Sequence, residues 1–306
     1  MTKILILIAT VFFFSQTLFA KTDLKFSLEV GESYHQVMNA KSMINQVLSG
    51  KEIDLLMSMS GSLTYTVTDK NENIYTIDVV YDSLSMGVSA EGYNMTYNSE
   101  SPKDTSDYIS ILLAALRNTK FGITMTERGK IVDITNFEGL FDVAFETIQQ
   151  LDPAVRKQLE TNLKNSFGKD NFKSSFETIT AIFPPEPVDM GRQWKAESVL
   201  NNNMPVRINT LYKFEDETDD SFVITGVGTL ISYQPKDGIY NNPTPYTYQL
   251  TGTVGSEIKL DKNTCWIKEA RVKQEMKGYS ILKSELDNEN PKKVEMEFKI
   301  VTTYND

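Results

Sequence analysis

Residues 53–68 read IDLLMSMSGSLTYTVT, and their alternation decides the fold class. Ile53, Leu55, Met57, Met59, Gly61, Leu63, Tyr65 and Val67 hold the odd positions. Asp54, Ser58, Ser60, Ser62, Thr64, Thr66 and Thr68 hold even ones. Successive side chains of a strand point to opposite faces, so this period of two predicts one long, half-buried strand with Leu56 as the exception. Asp69-Lys70-Asn71-Glu72-Asn73 supplies a polar turn, after which Tyr75, Ile77, Val79 and Tyr81 alternate on the way back. Leu84, Met86 and Val88 then alternate on even numbers. The slip in phase predicts a bulge near Asp82-Ser83. Met57, Met59, Leu63, Tyr65, Tyr75, Ile77 and Val79 are expected to share one buried face.

Working outward, the same period recurs. Tyr34 to Leu48 reads as a strand turning through Ser49-Gly50-Lys51, with a short helix as the alternative. Phe121 to Ile134 reads as a hairpin turned at Glu127-Arg128-Gly129. Val206 to Phe214 and Phe222 to Ser232 form another. Tyr246, Tyr248, Leu250, Gly252 and Val254 alternate, and Thr264 to Met276 answers them across Asp261-Lys262-Asn263. Val294, Met296, Phe298 and Ile300 mark a last strand, and the proline-rich Gln234 to Pro245 a surface loop.

Between Asn136 and Phe183 the period changes to that of helices. Phe137, Leu140, Phe141, Phe145 and Ile148 fall on one face, opposite Glu138, Asp142, Glu146 and Gln149. Asp152 is placed to cap a second helix that Pro153 begins, because a first-turn proline sacrifices no hydrogen bond. Val155, Leu159 and Leu163 form its apolar stripe, and Gly168 ends it. A third carries Phe172, Phe176, Ile179 and Phe183 until Pro184 and Pro185 break it. Asp104 to Arg117, with Ile109, Leu112, Leu113 and Leu116 inward, is a separate helix.

Two segments hint at an internal duplication. Val30-Gly31-Glu32-Ser33-Tyr34 and Met190-Gly191-Arg192-Gln193-Trp194 share a Gly-x-x-aromatic core. Tyr65, Val67, Asp69, Tyr75 and Ile77 align with Tyr212, Phe214, Asp216, Phe222 and Ile224. The fold class expected is therefore α+β. It comprises one continuous curved antiparallel sheet or two facing ones, with a β half at 21–135, a helical insertion at 136–183 and a β half at 184–306, together a single domain.

The stretch Phe183-Pro184-Pro185-Glu186-Pro187-Val188-Asp189-Met190-Gly191-Arg192-Gln193-Trp194 resembles the Pro-x-x-Pro-Val-x-x-Gly-x-x-Trp segment of exported bacterial β-rich proteins classed only as domains of unknown function. That resemblance implies no activity and no catalytic residues. More loosely, the layout is similar to the half-barrel of outer-membrane lipoprotein carriers. It implies acyl chains held between a curved sheet and helices.

Residues 1–20 have the form of a secretory signal peptide: Lys3, an apolar run from Ile4 to Phe14, and Leu18-Phe19-Ala20 before the cut. The destination expected is the periplasm or the extracellular space. No later stretch has the roughly 18 apolar residues that a membrane-spanning helix needs. A formal charge of −10 disfavours sequence-independent nucleic-acid binding, which depends on cations facing phosphate. Cys265, the one cysteine, reads as a small buried hydrophobe, with an intermolecular disulfide as the alternative.

The chemistry searched for is sparse. His35 is the sole histidine and lacks a nucleophile elbow. Asp69 to Asn73 imitates half of a calcium loop, but Ile74 and Val80 stand where Gly and a bidentate Glu belong. Glu215 to Asp220 is the densest carboxylate cluster and reads as a solvated hairpin tip. No catalytic, metal or cofactor residue is assigned, and no enzyme is expected. Two functions remain open. One is a non-catalytic exported protein acting through surface or assembly contacts. The other is a carrier for a lipid or other apolar ligand. A carrier would show an apolar pocket of about 300 Å³ or more between the sheet and Phe137, Phe141, Phe145, Phe172 and Phe176.

Overall fold

The alternation at 53–68 becomes part of a 21-residue strand, and strands of this length set the height of the molecule. The computed structural model describes residues 21–48, 50–102, 106–148, 150–200, 204–233, 246–282 and 291–306. The signal peptide expected at 1–20 and the surface loop expected at 234–245 lie outside the described residues. In chain order the first half contains β1 (Ser33–Leu48), β2 (Lys51–Asn71), β3 (Ile74–Ala90), β4 (Tyr93–Asn98), α1 (Tyr108–Leu116), β5 (Lys120–Thr126) and β6 (Ile131–Thr135). Then come α2 (Phe137–Glu146), α3 (Pro153–Phe167) and α4 (Lys169–Thr180). The second half contains β7 (Gln193–Leu200), β8 (Val206–Glu217), β9 (Ser221–Ser232), β10 (Tyr246–Asp261), β11 (Ile267–Leu282) and β12 (Lys293–Asn305).

All twelve strands join one antiparallel sheet in the order β6-β5-β3-β2-β1-β12-β11-β10-β9-β8-β7, with β4 on the far part of β3. The last strand, β12, pairs with β1 and so joins the two halves. The edges β6 and β7 stand ten strand steps apart, about 48 Å if the sheet were flat. Yet α4, about 10–12 Å wide, packs against both. Glu177 accepts from the Ile131 amide at 2.8 Å, and just past α4 the Ile182 carbonyl accepts from Trp194 Nε1 at 2.8 Å. The sheet therefore curves into an open barrel, with the helix in its seam.

Both halves repeat one hairpin unit. The Gly31 amide donates to Val67 and the Gly191 amide to Phe214, at 2.8 and 2.7 Å. Val67 returns a bond to Glu32 and Phe214 one to Arg192, each at 3.0 Å. Both glycines sit at positive φ, +94° and +85°, where a side chain would be strained. Both strands also break register at the same place, between Val67 and Asp69 and between Phe214 and Asp216.

The expected bulge is present. Ser62 faces Ser83 and Leu63 faces Tyr81, leaving Asp82 as the extra residue. Its carboxylate turns outward to accept from Thr64 Oγ1 at 2.8 Å. Tyr34 to Leu48 is a strand, not a helix. Two strands lie outside the sequence-based expectation, β4 and β7, both short elements beside longer ones. The helices lie near where their periodicity puts them. However, α4 ends at Thr180, capped at Ala181, so Phe183 lies beyond it and the prolines do not break it. Helix α1 starts only at Tyr108. Asp152 caps α3 through the Ala154 amide at 2.8 Å, and Gly168 ends it where a Cβ would strike the Lys164 carbonyl. The stripe of α3 is corrected in part, since Leu163 is buried but Val155 is 47% exposed. The expected buried face is corrected too. Leu63, Tyr65, Tyr75, Ile77 and Val79 are buried, Met59 is half-buried and Met57 is 36% exposed. β2 simply continues past the helices that cover its other end.

That covered end is plugged by residues 22–28. Thr22 exchanges both backbone bonds with Val188 at 2.9 Å. Leu24, Phe26 and Leu28 are buried, and Phe26 meets the rings of Phe183 at 5.0 Å and Trp266 at 6.0 Å. Arg128 binds the Leu24 carbonyl and the Asp23 carboxylate, both at 2.7 Å, tying the segment to the turn after β5.

Candidate functional site

Strand register settles which side chains face into the barrel. Met38 lies opposite Gly61 and Tyr304, Ile44 opposite Leu55 and Phe298, and Gln46 opposite Ile53 and Met296. Met59 lies opposite Met86, and Met57 opposite Val88. These residues continue the face that buries Leu63, Tyr65 and Val67, so a largely apolar surface, interrupted by Ser42 and Gln46, runs from the plugged end to the open end. At the open end Ile44, Leu55, Met86, Val88 and Met296 are only half-buried. Methionines recur along this stretch, and their unbranched chains adapt to varied apolar partners.

Where this face passes under α4, a hollow remains. It encloses about 100 Å³ and is lined by β1, β2, β3 and β12 on one side and by Phe167, Asn171, Phe172, Ser175, Phe176 and Ile179 on the other. The pocket that a carrier would show is therefore present as a hollow but falls short in size. About 100 Å³ is below the 300–1,000 Å³ usual for a whole drug-sized ligand. The reason is visible in the phenylalanines. Phe172 and Phe176 line the hollow, but Phe137, Phe141 and Phe145 do not. They are buried in the core, where Phe137 meets Phe141 at 5.9 Å and Phe121 meets Phe137 at 4.9 Å and Phe172 at 5.0 Å. Half-buried Met38 and Met59 belong to the lining, so the hollow continues onto the open apolar face.

Among the described residues no charged side chain lines it; its polar groups are Gln36, Asn171, Ser175 and three tyrosines. Gln36 Nε2 donates to the Asn305 carbonyl at 2.9 Å. Burial pushes the hydroxyls of Tyr65, Tyr81 and Tyr304 well above the ordinary tyrosine pKa. For Tyr65, the nearby Tyr81 and Tyr304 add to the shift. All three are neutral phenols at any physiological pH. Sequence reading does not single them out, because nothing in the spacing of residues 65, 81 and 304 reveals that β2, β3 and β12 bring them together.

The candidates for other chemistry lie elsewhere. His35 is exposed on the outer face, with Nδ1 at 3.1 Å from Thr64 Oγ1. Asp82 bonds that same hydroxyl rather than the imidazole, so the order needed to activate a nucleophile is absent. At the β8–β9 tip, Glu215 pairs with Lys213 at 2.8 Å, Glu217 with Lys262 at 2.6 Å and Asp220 with Lys268 at 2.6 Å. Asp69 accepts from its neighbour's amide, Lys70, at 2.8 Å within the turn. Cys265 is buried, and that burial pushes its thiol up to about 11. A hollow of about 280 Å³ on the outer face of β10 and β11 is a charged strip containing the Lys259–Glu269 pair at 2.8 Å. Among the described residues there is no cluster of three metal-ligating side chains, and no helix long and apolar enough to cross a membrane.

None of the curated proteins matches the sequence. Among solved structures, lipovitellin, from a study of its lipid–protein interactions, aligns at a TM-score of 0.44 and 12% identity over 90% of this chain. The chain spans about a quarter (25%) of the lipovitellin chain it matches. An outer membrane channel from Pseudomonas putida F1 aligns at 0.26 and 7% identity, covering 92% of this chain and 97% of its own. The translocator domain of the autotransporter NalP from Neisseria meningitidis aligns at 0.22 and 9%, covering 91% and 89%. A family model matches residues 72–267, more than half of the length and spanning the helices and most of both β halves, so the chain belongs to the family of unknown function DUF6263.

Proposed function

We propose that this protein is an exported binding protein that holds a lipid or other apolar ligand on the inner face of its open barrel. It performs no chemistry of its own. The observation that carries this reading is the continuity of the apolar face from the hollow under α4 to half-buried Leu55, Met86 and Val88 at the open end. A close-packed interior leaves few voids and gains nothing from carrying such a face beyond its cover. The small hollow takes one end of an elongated ligand, and the strands above it take the remainder. Protein purified from its host's envelope fraction should carry bound ligand in native mass spectrometry. Leu55→Lys with Met57→Lys should abolish the added mass while leaving the fold intact. Ligand-free protein from the native host, together with no uptake of lipid from detergent micelles, would reject the reading.

A second reading, contact with a macromolecular partner, has one observation in its favour. Met43 and Leu56 lie opposite each other on the outer face and are 50% and 46% exposed. Loss of a co-purifying protein in Met43→Ser with Leu56→Ser, at unchanged lipid content, would favour it.

A further inference from the structure

The hollow under α4 has an apolar lining with a polar floor, whose tyrosine hydroxyls have no partner among the described residues. Tyr65 and Tyr304 are 3% and 8% exposed, and Tyr81 is half-buried. Their rings are held in place: Tyr65 stacks on Phe176 at 5.3 Å and meets Trp266 at 5.3 Å, and Tyr81 meets Phe121 at 5.7 Å. Among the described residues none of the three hydroxyls makes a hydrogen bond. Among the described residues no buried side-chain oxygen is both sealed and unpartnered, so these hydroxyls stay reachable, and all three residues line the hollow. A phenol with no protein partner keeps its donor and acceptor capacity for whatever small molecule reaches it.

We infer that Tyr65, Tyr81 and Tyr304 form the end-group site of the apolar ligand and select an uncharged oxygen, an alcohol or an ester carbonyl, over a carboxylate. The inference rests on the reading of the barrel as an apolar-ligand binder. Three neutral phenols offer O–H donors, and each can also accept from an alcohol. No Lys, Arg or His lines the hollow to balance an anion. Taking a lone carboxylate out of water into a place with no cation costs more than even charge-assisted bonds from three phenols return. An alcohol or ester oxygen has no such cost. It fits a hollow of about 100 Å³ with its alkyl chain leaving along Met38 and Met59.

The test uses the mature chain, the fluorescent apolar probe N-phenyl-1-naphthylamine, and three competitors of equal chain length: 1-dodecanol, methyl dodecanoate and dodecanoate at pH 8. The probe should bind, and the alcohol and ester should displace it at least tenfold more effectively than the ionised acid. In the double variant Tyr65→Phe, Tyr304→Phe, the rings and their packing persist. Each lost bond should weaken the alcohol and ester roughly two- to tenfold while probe affinity is unchanged. An alcohol advantage without an ester advantage assigns the site to hydroxyl ligands; both together assign it to either oxygen. Equal or better displacement by dodecanoate overturns the inference, as does an undiminished preference in the double variant. Both of those outcomes leave apolar binding standing. Failure of the probe and all three competitors to bind overturns the apolar-ligand reading itself, and this inference with it.

Discussion

The two ends of β2 share one pattern and differ in fate. At the plugged end Leu63, Tyr65 and Val67 are buried beneath α4, residues 22–28 and the Trp266 ring. At the open end Leu55 and Met57 occupy the same face at the same period, yet Leu55 is half-buried and Met57 exposed. Alternation fixes the face on which a side chain lies. It carries no information on how deeply that face is covered, because cover comes from segments distant in sequence. Around Tyr75 the cover is hydrogen-bonded as well: its hydroxyl donates to the Phe26 carbonyl at 3.1 Å and accepts from the Leu28 amide at 3.2 Å.

Substitutions graded along this axis can sharpen the contrast or break it. Phe26→Ala should have the largest effect, about 3–5 kcal/mol, because it empties the plug between Phe183 and Trp266. Chemical denaturation measures it, and a loss below about 1 kcal/mol would mean that the plug is dispensable. Leu63→Ala should follow, near the lower part of the roughly 2–5 kcal/mol range, since a hollow already adjoins that side chain. Leu55→Ala, with its side chain half in water, should cost less than about 1 kcal/mol and yet weaken binding of an apolar probe. If Leu55→Ala proved as destabilising as Leu63→Ala, the two ends would be one core and the open end no binding face.

The smallest effect should come from the charged rim of the plugged end. Lys268, then Ser221 and Thr218, hydrogen-bond the Asp220 carboxylate and hold it at about 2, below the usual 3.8. A carboxyl depressed on folding stabilises the native state above its unfolded pKa. Its contribution is therefore complete above about pH 4 and disappears as pH falls through about 2. Asp220 is fully exposed, so the stabilisation is slight and screened by salt. The unfolding midpoints of the parent chain and Asp220→Asn should differ slightly at pH 5 and converge near pH 2. A gap that widens toward acid would contradict the pairing.

Several features of the fold are legible in local spacing alone. The phase slip between Tyr81 and Leu84 locates the bulge at Asp82, since one inserted residue must turn every later side chain to the other face. Asp152-Pro153 and Gly168 mark the ends of α3, because capping and close backbone approach act within a turn. The Gly-x-x-aromatic pair at Gly31 and Gly191 points to the repeated hairpin, whose hydrogen bonds and register breaks coincide. β4 and β7 are not legible in this way, because short strands present too few alternations to stand out.

By itself, then, the sequence determined most of what depends on neighbours a few residues apart: strand faces, turns, the ends of α3, and the acidic, cysteine-poor character of the chain. Only the tertiary structure decided that one sheet, not two, holds both halves, through the pairing of Ser42 with Ile300 and its neighbours. It alone decided that α4 fills the seam between β6 and β7. It alone buried Phe137, Phe141 and Phe145 away from the hollow, leaving Phe172 and Phe176 over it. And it alone gathered Tyr65, Tyr81 and Tyr304, which are up to 239 residues apart in the chain. The physical reason is common to all of these. Periodicity is written by local backbone geometry, whereas register, cover and convergence are set by which distant surfaces bury each other most completely.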